Sequence, residues 1–459
     1  MLKDLITDYK GLFREHTELR AQVNTRRGVA LLNGNLVANS RSDDSGVSAR
    51  VYKNGVYGFA SAAEYSCHSI QAVLDAAQEN ALFMDSRVRK NKPTLPPIGT
   101  GSFGFIRDVK DIEQKTYIEF AKEVDAYIAS KYPSLASRTV VVKGESMEKL
   151  LVVSDGYNSH SLLPRSFVYV FMTAQAKDGG TVEVFNPYGG YGYFNEVFSS
   201  PQSLFSGIDI LYDELMKKAE GVYNDAGYKD VVMHPDLAGI LAHEAVGHTV
   251  EADLVLAGSV AAHNLGKKVA SELVTMVDYA HTAFGQQVPL PVYCDDEGTP
   301  AEDAILIKQG ILTGYMNNRE SAQHFGMKPQ GNARAFLFSD EPLIRMRNTA
   351  ILPGKDKLED MIAAIDDGYY LTMTNNGQAD STGEFMFGVC MGYEIKKGRL
   401  GRAIRDTTIS GIAFEMLKTV DMLSDSVVWS CSGMCGKKQP MPVGMGGPAV
   451  KCKVMMGGR

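Results

Sequence analysis

The residues best suited to chemistry lie close together in the middle of the chain. Residues 241–253 read LAHEAVGHTVEAD and contain two histidines and three carboxylates, namely His243, His248, Glu244, Glu251 and Asp253. Imidazole is the commonest metal ligand in proteins. A carboxylate beside a metal-polarised water is how many hydrolases make a nucleophile at neutral pH. This stretch therefore predicts a metal-dependent hydrolytic site.

The spacing of the two histidines requires a local distortion of the helix. His243 and His248 are five positions apart, whereas the familiar zinc motif uses four, which brings both rings to one face of an α-helix. Five positions leave the rings roughly 140° apart at about 3.6 residues per turn. Either a π-turn brings positions i and i+5 together, or the helix ends at Gly247 and His248 lies on the departing chain. Gly247 permits both, because it has no Cβ to clash.

The motif does not by itself complete a metal site, because a hydrolytic zinc site has three protein ligands and one open position. Glu251 and Asp253 are near enough to be ligands, or to orient an imidazole N–H. Cys431 and Cys435, in a glycine-rich segment near the C-terminus, are further candidates, and composition does not choose between them. Glu244 could take a proton from the metal-polarised water and pass it to a leaving amine.

Length and composition limit the class of protein. A chain of 459 residues is too long for one ordinary core, so we predict two domains, 1–227 and 228–459. A net charge of −7 without a basic cluster argues against direct binding of nucleic acid. The sequence has no apolar run long enough for a membrane helix. Six sparse cysteines and an N-terminus unlike a signal peptide predict a cytoplasmic location.

The two halves differ in their predicted elements. Asn-Gly pairs predict hairpins in the first half, and helical spacing of apolar residues predicts helices at 1–20, 70–83, 113–131 and 205–223. The aromatic stretch 188–194 is predicted to be a surface loop. Strand-forming segments dominate the second half, with a further helix at 409–420. The prediction is an α+β fold, in which an N-terminal antiparallel sheet carries helices on one face. The C-terminal domain is strand-rich and barrel-like, with an embedded metal-binding helix.

The sequence HEAVGHxxExD that begins at His243 resembles the HExxxH signature of the TldD/PmbA family, also called modulator of DNA gyrase. Further segments match in order, among them GNxR from Gly331, RMxN from Arg345 and CGK from Cys435. The resemblance covers most of the chain and is densest after residue 228. It is closer to the TldD branch, because the PmbA (TldE) branch lacks these histidines.

The resemblance implies a zinc metallopeptidase that acts on peptides or unfolded protein segments, with one Zn²⁺ per chain. It implies that His243, His248 and Cys435 hold the metal and that Glu244 is the catalytic carboxylate. It also implies a homodimer, or a heterodimer with a TldE/PmbA-like paralogue.

Four other residues are assigned to supporting roles or to substrate. Glu251 and Asp253 are expected to support the metal ligands. Asn332 and Arg334 are expected to contact the substrate backbone or a partner subunit, with a buried structural turn as the alternative. Two other functions stay open: a non-catalytic regulatory or assembly subunit, and a metal-dependent amidohydrolase of small molecules. The intact motif argues against the first.

Overall fold

A large sheet forms the first half of the chain in this computed structural model, which describes residues 7–92 and 94–458. Its strands are β1 (His16–Leu32), β2 (Asn35–Lys53), β3 (Val56–Ala62), β4 (Gly101–Phe105), β5 (Ser137–Val153), β6 (Tyr157–Gln175) and β7 (Thr181–Tyr191). The order is β3-β2-β1-β5-β6-β4, with β7 also paired to β6. All pairs are antiparallel except β4–β6. The turns at Asn33–Gly34 and Asn54–Gly55 have positive φ at both positions, as tight hairpins require.

The helices of this half cover one face of the sheet. They are α1 (Cys67–Val88), α2 (Gln114–Lys131), α3 (Phe194–Val197) and α4 (Phe205–Ala219), with 3₁₀-helices at Thr7–Leu12 and Pro201–Leu204. Successive side chains of strand β1 point to opposite faces of the sheet, so β1 contacts the helices on one face and the second half of the chain on the other. Leu19 and Val29 pack in the cores under the helices. Gln22 and Asn24 point the other way, and both donate to the Phe336 carbonyl of the second half.

The second half consists mostly of short strands. They are β8 (Gly227–Met233), β9 (Met276–Tyr279), β10 (Thr282–Ala283), β11 (Gln286–Gln287), β12 (Ala304–Lys308), β13 (Ile311–Leu312), β14 (Ala333–Arg334), β15 (Leu343–Ile344), β16 (Asn348–Ile351), β17 (Asp367–Ala379), β18 (Glu384–Lys396), β19 (Arg399–Ile404), β20 (Thr407–Ile412), β21 (Met422–Leu423), β22 (Val428–Cys435), β23 (Met441–Gly447) and β24 (Val450–Met456). Its α-helices are α5 (Pro235–Leu241), α6 (Ala252–Leu256), α7 (Arg319–Phe325), α8 (Leu358–Ala363) and α9 (Ala413–Lys418). A π-helix covers Ala242–Gly247, and 3₁₀-helices cover His248–Val250 and Val260–His263.

Five of these strands close into a barrel beside helix α5. The order β17-β8-β24-β20-β18 becomes a ring because β17 also pairs with β18. Leu237 and Leu241 of α5 are fully buried in one core with Phe387 of β18 and Val454 of β24. A second sheet, β13-β12-β9-β16-β23-β22, ends in strand β22, which carries Cys435. The predicted α+β class, with its strand-rich second half and embedded helix, is confirmed.

The predicted helix over 1–20 is wrong for most of the residues that the structure describes. Residues 1–6 lie outside the described part, Thr7–Leu12 is a 3₁₀-helix, and β1 begins at His16. The apolar spacing suits a helix only as far as Phe13. After it, apolar and polar residues alternate, and β1 pairs with strands on both of its sides. Tertiary pairing therefore overrides the local helical pattern.

Two further local predictions are wrong. The stretch 188–194 is not a surface loop, because its first residues belong to β7, paired with β6, and Tyr193 and Phe194 are buried. The helix predicted over 409–420 divides into strand β20 and helix α9, because Ile409 and Ser410 pair with β24. Helices α1, α2 and α4 confirm the other three predicted helices. The boundary at 227/228 stays a prediction and coincides with the start of β8.

Candidate metal centre

The chain widens into a π-helix where the two histidines lie. Helix α5 begins at Pro235, after an N-cap in which the His234 ring accepts a hydrogen bond from the Asp236 N–H. Over Ala242–Gly247 the helix becomes a π-helix, and the His248 N–H donates to the His243 carbonyl five residues earlier. The π-turn is therefore confirmed. The helix does not end at Gly247, because a 3₁₀ turn follows directly.

Gly247 is required by packing rather than by backbone conformation. Its φ of −52° and ψ of −50° are ordinary right-handed helical values. A Cβ at this position would lie well inside van der Waals contact with Sδ of Met346, and 3.2 Å from the Ala242 carbonyl oxygen. The absence of a side chain therefore lets the π-turn pack against Met346.

Two histidines and one cysteine converge at the π-turn. One ligand atom each from His243, His248 and Cys435 lies within 4.8 Å of the others, and Cys435 Sγ is 3.3 Å from His248 Nε2. His243 is 1% exposed, and neither of its ring nitrogens makes a hydrogen bond of ordinary geometry within the described part of the chain. Buried polar atoms normally have partners. Two imidazoles and a thiolate are a donor set that zinc takes, so these residues fit a zinc ion.

The charges of the three side chains favour the thiolate form. Burial raises the pKa of the Cys435 thiol, but His243 and His248 outweigh it and lower that pKa to about 3. Burial lowers the pKa of His248, but Cys435 and Glu251 raise it to about 10. Without a metal, these shifts favour a thiolate at Cys435 beside an imidazolium at His248. The thiolate is the form that binds metals, and a metal must displace the proton from His248.

Glu244 lies next to both histidines and is partly exposed to solvent. Its Oε2 is 3.6 Å from His248 Nε2, and its Oε1 is 4.0 Å from His243 Nε2. The side chain is 26% exposed and lines a cleft. This carboxylate can therefore exchange protons with a molecule in the cleft while it remains next to both imidazoles.

Neither Glu251 nor Asp253 lines the cleft. Glu251 is fully buried, and its Oε2 is 2.8 Å from His248 Nδ1. Lys437 pairs with both carboxylates, since its Nζ lies 2.7 Å from Asp253 Oδ2 and 3.2 Å from Glu251 Oε2. Neither carboxylate belongs to the three-residue group. Sequence reasoning gave Lys437 no role, although two nearby carboxylates were a signal that a cation was needed.

Asn332 and Arg334 belong to a buried polar layer outside the metal group. The Asn332 amide donates to Asp278 at 2.8 Å and to the Arg345 carbonyl at 3.1 Å. The Arg334 guanidinium donates to the Met346 carbonyl at 2.6 Å and to the Pro442 carbonyl at 3.1 Å. The substrate or partner contact expected of these two residues stays a prediction.

The cleft next to Glu244 lies between the two halves of the chain. It has a volume of about 530 Å³ and is open to solvent. The walls come from β6, β7, β17, β22, β23 and the helix with the motif, and the apolar or aromatic wall residues include Phe167, Tyr188, Trp429 and Met445. Cys431 also lines the cleft, where its Sγ lies 3.6 Å from the Gly189 carbonyl, but it is not among the three converging residues. Of the two thiols left open by sequence reasoning, only Cys435 joins the histidines.

Two models of known protein families match the chain. The model of the PmbA/TldA metallopeptidase C-terminal domain matches residues 226–458, and that of PmbA/TldA metallopeptidase domain 1 matches residues 17–81. The chain belongs to the TldD/PmbA family of metallopeptidases. The family resemblance of the HExxxH segment is thereby confirmed.

Individual members of the TldD/PmbA family are similar to this chain along most of their length. A Methanothermobacter thermautotrophicus protein named metalloprotease is 30% identical over 99% of this chain and 100% of its own. A Saccharolobus solfataricus protein named zinc metalloprotease TldD homolog is 30% identical over 90% of both chains. The crystal structure of TldE from Thermococcus kodakarensis superposes with a TM-score of 0.75 at 17% identity, covering 98% of this chain and 99% of that one. The last likeness shows a shared fold.

Proposed function

We propose that this protein is a zinc-dependent peptidase that hydrolyses peptides or unfolded protein segments. The observation that carries the proposal is the convergence of His243, His248 and Cys435 within 4.8 Å, with Glu244 beside them at the wall of an open cleft. Membership of a metallopeptidase family supports it, as does the name of the Saccharolobus relative.

The roles of the side chains follow from their positions. His243, His248 and Cys435 would hold one zinc ion per chain. Zinc, when bound, supplies a Lewis acid that makes water more acidic and polarises a carbonyl. Glu244 accepts a proton from the attacking water, whose oxygen forms a bond to the carbonyl carbon. Glu244 then donates that proton to the amide nitrogen as the C–N bond breaks, which releases an amine and a carboxylic acid.

A strand at the end of its sheet, which lines the cleft, favours a peptide over a small molecule. The volume of the cleft, about 530 Å³, is also within the range of small-ligand pockets, about 300–1,000 Å³, so the preference for a peptide comes from that strand. Strand β22 pairs with β23 on one side and stands at the end of its sheet. An extended peptide can bind to such an edge as an added strand. This edge favours peptides over the small amides of the alternative amidohydrolase function.

A dimer is part of the proposal. The similarity of the fold to TldE from Thermococcus kodakarensis supports a TldE/PmbA-like paralogue as partner, and a second copy of this chain is the other possibility. The complete set of potential ligands disfavours a purely regulatory or assembly role.

The test compares wild type with Glu244→Gln on an unstructured fluorogenic peptide, with zinc content measured by mass spectrometry. We expect one zinc per chain in both proteins, and a loss of hydrolysis of about 10²–10⁴-fold in the variant, as is typical when a general base is removed. Glu415→Gln, the same substitution at an exposed residue of α9, is the matched control. Hydrolysis that persists in Glu244→Gln, or wild type that binds no zinc, would refute the proposal.

A further inference from the structure

A buried lysine joins the two chain segments that carry the converging side chains. Lys437 Nζ lies 2.7 Å from Asp253 Oδ2 and 3.2 Å from Glu251 Oε2. It also donates to the Ile344 carbonyl at 3.0 Å. Its side chain is only 10% exposed, so these interactions are shielded from water and from salt.

The position of Glu251 depends on this cation. Glu251 Oε2 is shared between His248 Nδ1 at 2.8 Å and Lys437 Nζ. Its Oε1 is buried and has no hydrogen-bond partner among the described residues. A buried carboxylate is costly unless it is paired, and Lys437 supplies the opposite charge. The shared oxygen can then accept the Nδ1–H of His248, which leaves Nε2 free to bind a metal.

We propose that Lys437 is a positioning residue for the zinc site. Its ammonium group holds Glu251 against His248. Because Lys437 follows Cys435 by two residues, the same group ties the thiol-bearing segment to that imidazole. Lys437 thus helps to hold the His248 ring in its position opposite Cys435 Sγ. The inference rests on the proposed zinc site.

The backbone of the thiol-bearing segment has a separate anchor. The Arg345 guanidinium donates to the carbonyls of Cys435 at 2.8 Å, Lys437 at 3.1 Å and Gln439 at 2.7 Å. Loss of the Lys437 ammonium therefore leaves the path of this segment supported. The effect should fall on Glu251 and the His248 ring, rather than on the fold of the segment.

The experiment uses full-length protein with three substitutions. Lys437→Met keeps the aliphatic stem and removes the charge, Lys437→Arg keeps the charge, and Lys438→Met makes the same charge change at the exposed neighbouring residue. Zinc affinity is measured by competition with a chromophoric chelator, and site geometry by the absorption spectrum of the Co²⁺-loaded protein. We expect Lys437→Met to bind zinc about 10–100-fold more weakly, as changes behind a metal-bound histidine typically do, and to alter the Co²⁺ spectrum. Lys437→Arg should recover most of the affinity, and Lys438→Met should match wild type.

Equal zinc affinity and equal spectra in Lys437→Met and Lys438→Met would overturn the inference. If circular dichroism shows that Lys437→Met does not fold, Asp253→Asn decides, because it loosens the lysine without touching Glu251. Weaker zinc binding in that variant supports the inference, and wild-type affinity overturns it. A wild type that binds no zinc would instead refute the proposed function, so the two failures are distinguishable.

Discussion

Replacing Gly247 by alanine is expected to overpack the π-turn and weaken the metal site. The new Cβ would overlap Sδ of Met346 and lie 3.1 Å from its Cε and 3.2 Å from the Ala242 carbonyl oxygen. Met346 is 1% exposed, so its side chain has no solvent into which to move. Overpacking of this kind costs about 1–3 kcal/mol. We expect that loss in the free energy of unfolding, together with weaker zinc binding, because the overlap pushes on the turn that aligns the histidines.

A double-mutant cycle isolates the contact. Met346→Ala alone removes buried volume and should cost about 2–5 kcal/mol. In the double variant the alanine at 247 meets no methionine, so its own penalty should largely disappear. The coupling energy between the two sites should therefore be about 1–3 kcal/mol, in the range measured for residues in contact.

The assay is urea unfolding of the four proteins, with zinc affinity measured in parallel. Gly104→Ala is the control, because a Cβ there would meet no atom within 4 Å, and it should change stability by less than about 1 kcal/mol. Strictly additive effects of Gly247→Ala and Met346→Ala would show that the overlap does not explain the glycine.

Three other substitutions test separate parts of the molecule. Cys435→Ser should weaken zinc binding at least about tenfold, by loss of the thiolate, and abolish the sulfur-to-cobalt absorption of the Co²⁺ form. Arg347→Met should lower stability by about 3–5 kcal/mol, since it leaves Asp278, its fully buried partner, unpaired. Burial raises the pKa of Glu18, but chiefly Arg50 lowers it to about 2. The contribution of the Glu18–Arg50 pair to the free energy of unfolding is therefore complete above about pH 4.5 and is lost as the pH falls toward 2. Urea unfolding at a series of pH values should show this loss in wild type and a flatter pH dependence in Glu18→Gln.

Each of these three has its own control. Cys67→Ser changes an exposed thiol and should leave the cobalt spectrum intact; a spectrum unchanged in Cys435→Ser would exclude that thiol as a ligand. Adding Asp278→Asn to the Arg347 variant should recover part of the stability, and no recovery would argue against an unpaired charge as the cause. Glu64→Gln, at an exposed position, should keep the acid dependence of wild type.

The sequence was most informative where chemistry and spacing constrained each other. Two histidines five positions apart require a distorted helix if both are to bind one metal ion, and the π-turn provides that distortion. The choice of Cys435 over Cys431 was different. Both thiols lie in one segment, and their distance from the motif depends on how β22 pairs with β23. Only the family resemblance predicted which thiol would converge on the histidines.

What escaped prediction depended on contacts distant in sequence. Lys437 meets Asp253 across 184 positions, and no local pattern gives that pairing. The strand that begins at His16 was mistaken for part of a helix for a similar reason, because its two neighbouring strands come later in the chain. Local periodicity predicts an element well when its packing is local, and less well when tertiary pairing decides.

The distance between the ligands along the chain affects the order in which a cell would make the site. Cys435 follows His248 by 187 positions. At a synthesis rate of about 5–20 residues per second, the thiol would leave the ribosome about 10–40 s after the histidines. A peptidase of the proposed kind, built in this way, would have no complete active site while its own chain is still unfolded and emerging. If the proposed function holds, the late cysteine would protect the nascent protein from that activity.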